Sequence, residues 1–176
     1  IEAAHETAKE KGEDQKWAFT LSNASVMNFL QYADNRELRK EIWNAYQNIG
    51  NNNNANDNKQ VIKDLVTLRS EKARLLGYPS FAAYSLEETM AKTPENVEKL
   101  IGQLWQPALQ KAKAESADIA AKMKADGITD GVKPYDWRYY TEKIRVERYN
   151  LDEQELKPYF SLDNVRKGVF EVTEKL

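Results

Sequence analysis

His5 and Glu6 stand side by side in AHETAKEKG, and His5 is the only histidine among the 176 residues. A His-Glu pair on a helix is half of a metal-hydrolase motif. In the full motif two histidines four positions apart turn both imidazoles toward one zinc ion, and the intervening Glu activates a water. Four positions after His5 the chain has Lys9, an ammonium that repels a metal ion, and it contains no cysteine to supply a thiolate. His5 is therefore expected to be an ordinary helix-face residue. A Ser-His-acid triad would also have to use His5, and no serine sits in a G-x-S-x-G strand-turn-helix setting. The glycine-rich phosphate loops GxGxxG and GxxxxGK are both missing. Adjacent acids such as Glu87-Glu88 and Asp152-Glu153 arise by chance among 28 carboxylates and belong on solvated faces. The expected tally of catalytic, cofactor-binding and metal-binding residues is none.

The densest aromatic stretch is YDWRYYTEKIRVERY, residues 135–149, where Tyr135, Trp137, Tyr139, Tyr140 and Tyr149 alternate with Arg138, Lys143, Arg145 and Arg148. Aromatic and basic mixtures of this kind can stack on single-stranded nucleic acid. A net charge of −2 removes the electrostatic footprint such binding needs. Trp137, Tyr140 and Ile144 instead fall at i, i+3 and i+7 and predict a core stripe, with the arginines paired to Glu142, Glu147 and Asp152. Trp17, Trp43 and Trp105 are expected to be core or inter-helix anchors.

The elements that would position these residues are all helical. After an opening helix closed by Gly12 and a connector over 17–22, a helix over 23–33 sets Val26, Phe29 and Leu30 on one face. Asp34 with Glu37 predicts a capping box for the next helix, which carries Leu38, Ile42, Ala45, Tyr46 and Ile49 and ends at Gly50. NNNNANDNK then predicts a loop, because asparagine competes for its own backbone. A helix from Asn58 to Leu76 should turn Val61, Leu65, Leu68 and Leu75 to the core, and Ser80 should cap a short helix through Met90. Thr93-Pro94-Glu95 opens a long helix in the preferred way: cap, proline at the first position, acid in the first turn. It carries Val97, Leu100, Ile101, Leu104, Ala108, Ala112, Ile119 and Met123, with Pro107 expected to kink it near 103–105. Asp136, Asp152 (boxed with Glu155) and Asp163 predict caps for three further helices. No strand pattern appears. The layout is a single all-α array, residues 1–176, of seven or eight helices.

At 20.3 kDa the chain can bury a core of its own. Its composition, 41% apolar and 31% charged with 7 Gly and 5 Pro, suits a soluble helical protein and not a collagenous, disordered or membrane-spanning one. Without cysteine it has no disulfide framework, and the compartment, cytoplasmic or periplasmic, stays open. The sequence starts without Met and enters at mid-helix, which predicts a piece of something longer.

Several motifs, in order, resemble one family. Leu68-Arg69, Lys72-Ala73, Leu75-Leu76-Gly77-Tyr78, Phe81-Ala82 and Met90-Ala91-Lys92-Thr93-Pro94 resemble the thimet-oligopeptidase family of zinc metallopeptidases. KPYDWRYYTEKIRVERYNLDEQELKPYFSLDNVRKGVF resembles the stretch ahead of that family's catalytic helices, with Tyr135 where Trp is usual, and ADNRELRKEIWNAYQNIG fits as well. The resemblance spans nearly the whole chain and leans toward the bacterial peptidyl-dipeptidase (dipeptidyl carboxypeptidase) branch. It implies part of a larger, two-lobed helical fold around a channel for short peptides. It also implies a parent enzyme that hydrolyses amides with zinc held on His-Glu-x-x-His and releases dipeptides from C-termini. That motif follows the Pro-Tyr-Phe stretch in the family and has no counterpart here, so no metal ligand, general base or oxyanion donor carries over to a numbered residue.

The expected function is thus a non-catalytic helical portion of a zinc metallopeptidase, inactive and zinc-free alone. Its implied partners are short peptides and the catalytic half of the same protein, with no nucleic acid and no membrane; a dimer through exposed apolar surface is also expected. The alternative is a stand-alone helical interaction module without enzymatic activity.

Overall fold

In a computed structural model the protein is described over residues 2–150 and 153–176. Its helices are α1 (Glu2–Glu10), α2 (Asn23–Tyr32), α3 (Arg36–Gln47), α4 (Lys59–Leu75), α5 (Phe81–Leu86), α6 (Pro94–Ala125), α7 (Pro134–Tyr149), α8 (Glu153–Leu156) and α9 (Leu162–Lys175), with a 3-10 turn at Lys157–Phe160 before the last. No strand occurs among the described residues. The all-α reading holds.

Side-chain caps set most helix starts, though not always at the expected residue. Ser22, Ser80 and Thr93 each accept an N–H from three positions on, which satisfies a donor that the first turn leaves orphaned. Asn35, not Asp34, caps α3 by accepting the Leu38 N–H at 3.1 Å. Asp34 is occupied elsewhere: its carboxylate accepts the Tyr139 hydroxyl at 2.7 Å. Asp136 sits inside the first turn of α7, which begins at Pro134, and its carboxylate accepts the Lys133 N–H at 3.1 Å. Ser161 displaces Asp163 as the cap of α9. The expected Asp152 cap lies outside the described residues. α5 ends at Leu86 rather than near Met90, and α6 continues through Pro107.

The asparagine-rich segment is a loop, as its composition predicts, and it ties itself together. The Asn58 N–H donates to the Gly50 carbonyl at 2.7 Å, and the Lys59 ammonium donates to the side-chain carbonyls of Asn51 and Asn53. Gly50 has φ +71°, and a Cβ there would lie 2.6 Å from the Asn58 amide nitrogen. Glycine takes that left-handed corner without strain, where a side chain would be strained and would push the Asn58 amide aside.

α7 is the hub, packing against α2, α3 and α6. One buried cluster joins Ile119 and Met123 of α6 to Tyr139 and Tyr140 of α7, with Trp137 and Ile144 packed alongside. A second joins Val26 and Leu30 of α2 to Ile42 of α3, flanked by Met27, Phe29, Trp43 and Tyr46. The stripe expected on α7 is therefore real.

The expectation for α4 fails. Val61, Leu65, Leu68 and Leu75 are all exposed, as are Leu100, Ile101 and Leu104 on the first half of α6. Trp17 and Trp105 are exposed rather than anchoring a core, and so are Leu38 and Ile49 of α3. Helical periodicity marks a face that wants cover. It does not supply the neighbour, and among the described residues α4 packs only on the short α5, where Arg69 lies over the Phe81 ring and Lys72 over the Tyr84 ring.

Candidate functional site

Two features stand out where α2, α3 and α7 meet: a buried ionic knot and, beside it, an open cleft. In the knot the fully buried Asp136 carboxylate takes both prongs of Arg36, Nε at 2.9 Å and Nη2 at 2.8 Å, and the Arg39 Nη2 at 3.3 Å. Arg39, only 1% exposed, spends its remaining donors on backbone carbonyls: Ala33 at 2.8 Å, Asp34 at 3.0 Å and Tyr135 at 3.1 Å. Its guanidinium lies 4.0 Å from the Tyr139 ring centroid. Arg36 reaches on to Asp130, and that ion pair holds the Asp130 carboxyl below its usual range. The Asp136 hydrogen bonds raise the already high Arg36 pKa further, against the opposing effect of burial. A buried charge is tolerable when paired and hydrogen-bonded on every side, and no buried polar side-chain atom is left unsatisfied among the described residues. The knot fastens the start of α3 to the start of α7. It holds no open coordination position and no nucleophile.

The cleft has a volume of about 1040 Å³. Met27, Leu30, Trp43, Tyr46 and Trp137 form its apolar floor, with Lys133, Arg138, Glu142 and Arg145 around it. Arg145 clamps the Glu142 carboxylate through Nε at 2.9 Å and Nη2 at 2.6 Å, and the Gln31 amide donates to it at 3.1 Å. The Arg145 hydrogen bonds, helped by Gln31 and opposed by burial, depress the Glu142 pKa below 4.5. A carboxyl whose folded pKa is depressed adds stability that is present above its unfolded value and vanishes as pH falls through the folded one. We therefore expect the urea midpoint to drop below pH 4.5, and Glu142→Gln to remove part of that drop while lowering the midpoint at pH 7. Titrating both proteins in urea at several pH values checks this.

His5 stays apart from these features. Its Nε2 lies 3.0 Å from the Asp14 carbonyl oxygen, and its ring is 6.4 Å from that of Trp17. Among the described residues no three His, Cys, Asp or Glu side chains converge as a metal site requires. A catalytic zinc takes at least three N, O or S ligands, a set that the described residues do not bring together. Of the ion pairs expected on α7, Arg145–Glu142 forms, whereas Arg148 pairs with Asp118 and Glu147 with Lys122, both across to α6. Neither the knot nor the cleft was visible as a site in the sequence. Trp43, Tyr46 and Trp137 carry ordinary core spacing, and no spacing rule links Arg36 and Arg39 to an acid about 100 residues away.

These features define a helical structural unit with a buried ionic fastening and an aromatic cleft. No helix of the described residues is long and apolar enough to cross a membrane. The sequence profile of Peptidase family M3 matches residues 29–176, and the chain belongs to that family. It is 37% identical over 177 residues to the dipeptidyl carboxypeptidase of Escherichia coli, an alignment covering 100% of this chain and 26% of that protein. It is 34% identical to organellar oligopeptidase A of Arabidopsis thaliana (100% of this chain, 22% of that protein) and 32% identical to oligopeptidase A of E. coli (99% and 26%). The chain thus spans about a quarter of the length of these relatives.

Proposed function

We propose that this chain is a non-catalytic helical portion of a zinc metallopeptidase that hydrolyses short peptides, releasing C-terminal dipeptides as the name of its dipeptidyl carboxypeptidase relative suggests. In this reading the zinc and its ligands belong to other parts of the protein. The present helices form part of one lobe of a two-lobed fold and pack against the catalytic half. The observation that carries it is the M3 match over residues 29–176, together with coverage of only about a quarter of each relative. Exposed apolar faces on α4 and on the first half of α6 support it, since such faces are what a helix shows when its packing neighbour is absent.

The rival reading, a stand-alone interaction module, draws on the side-chain caps at Ser22, Asn35, Ser80, Thr93 and Ser161, which suit independent folding. Caps secure local helix ends; they do not cover α4. The test is to purify the 176-residue chain, dialyse it against zinc and assay it on a short blocked peptide. No retained metal and no cleavage are expected. Stoichiometric, tightly held zinc or chelator-sensitive cleavage would overturn the proposal. An in-frame continuation encoding His-Glu-x-x-His supports it over the interaction module, whereas a continuation without that motif favours the module.

A further inference from the structure

We propose that the cleft between α2, α3 and α7 binds an acidic aromatic peptide segment, one that sets an aromatic side chain beside a carboxylate. Three observations converge on that chemistry. The floor is apolar, with the half-buried rings of Trp43, Tyr46 and Trp137 beside Met27 and Leu30. Aromatic faces favour ring partners over compact aliphatic ones.

The charge around the floor is the second. Arg145 is engaged, with Glu142 among its partners, and among the described lining residues Lys133 and Arg138 then leave the cleft locally positive on a chain whose net charge is −2. Glu142 is already clamped by Arg145 and Gln31. Arg138 is exposed, and its guanidinium makes no ion pair or hydrogen bond among the described residues. An arginine on the rim of an apolar cleft is arranged to receive a carboxylate in two-pronged fashion.

The third is the polar lining. Gln47, Ser116 and Thr141 place an amide and two hydroxyls along the walls, groups that suit the alternating N–H and C=O of a peptide backbone. A volume of about 1040 Å³ accommodates several residues, more than twice the room of the clefts of about 260 to 420 Å³ elsewhere on the described residues. An acidic chain with one concentrated basic, aromatic cleft is poorly suited to nucleic acid, which needs an extended basic surface. A peptide is the occupant that uses all three features.

This inference stands on the cleft alone and not on the peptidase reading. The probe is accordingly blocked at both ends, so that no free terminus can be recognised. Acetyl-Ala-Phe-Glu-Ala-amide and its Gln counterpart would be titrated into the 176-residue chain while tryptophan fluorescence is followed. The Glu peptide should give a saturable change and bind about tenfold more tightly than the Gln peptide, the worth of one charge-assisted contact. Arg138→Gln, an exposed change whose folding is checked by circular dichroism, should weaken the Glu peptide about fivefold and leave the Gln peptide unchanged. Trp43→Leu should weaken both. Equal binding of the two peptides, an Arg138→Gln effect shared by both, or no saturation up to about 10 mM would overturn the proposal. So would a dimer of the chain that forms in the absence of peptide and excludes it, since that would assign the cleft to a second copy.

Discussion

Asp136→Ala should lower the unfolding free energy by about 3 kcal/mol, among the largest effects available from one residue of this chain. The mechanism is electrostatic rather than steric. Removing the carboxylate leaves the Arg39 guanidinium, 1% exposed, with backbone carbonyls and a tyrosine face but no counter-charge. Arg36 loses both of its Asp136 contacts and keeps Asp130 and the face of the Tyr135 ring. Breaking a buried pair from one side costs about 3–5 kcal/mol. The carbonyls that remain on Arg39, and the partial exposure of Arg36, argue for the lower end.

Replacing the charges together gives a different expectation. A chain carrying both Asp136→Leu and Arg39→Met removes carboxylate and guanidinium at once, and it should be more stable than Asp136→Ala by 1 kcal/mol or more, on the order seen when buried pairs are exchanged for apolar groups. Urea titrations of the parent, Asp136→Leu, Arg39→Met and the double variant form a cycle whose coupling energy isolates the pair. A loss under about 1 kcal/mol for Asp136→Ala would mean that α3 and α7 are held by the apolar clusters alone, and that the knot is incidental.

The same knot shows where sequence reasoning reaches and where it stops. Local rules placed the helices well, because periodicity, caps and glycine stops are properties of a few adjacent residues. They erred at caps in a telling way. Asp34 and Asn35 are adjacent and chemically equivalent candidates, and the choice between them is made by Tyr139, a residue about 100 positions away whose hydroxyl takes Asp34. Asp136 likewise looks like a cap in isolation, yet the approach of Arg36 and Arg39 makes it the centre of a tertiary contact. Arg39 lies within RELRK, a mostly charged run, and no local pattern marks it rather than Leu38 for burial. The cleft was hidden for the opposite reason. Its aromatic floor has the spacing of a core, and only the tertiary packing of α2, α3 and α7 decides which part of it stays open.

The exposed stripe of α4 and α6 leads to the second large expectation: at tens of micromolar the isolated chain should self-associate. Val61, Leu65 and Leu68 on one helix, with Leu100, Ile101, Leu104 and Trp105 on another, are too much apolar surface to leave in water when another copy can cover it. Fully burying one such side chain contributes about 1.5–3 kcal/mol, while association itself costs about 4–15 kcal/mol in lost freedom, so several must be covered together for a dimer to persist. Trp105, 58% exposed beside Leu104 at 60%, is the natural anchor, because large aromatic side chains dominate interface energies. Leu104→Lys with Trp105→Lys should therefore raise the dissociation constant at least about 30-fold, the equivalent of 2 kcal/mol, and leave the helical content intact. Sedimentation equilibrium over a range of concentrations reads this directly. The pair lies far along α6 from the buried Ile119 and Met123, so the variant tests the face and not the core. A monomer for the parent chain throughout that range would show that α4 and the first half of α6 tolerate water unaided. The helices would then need no catalytic half to lean on, and the stand-alone module would become the better account of the chain.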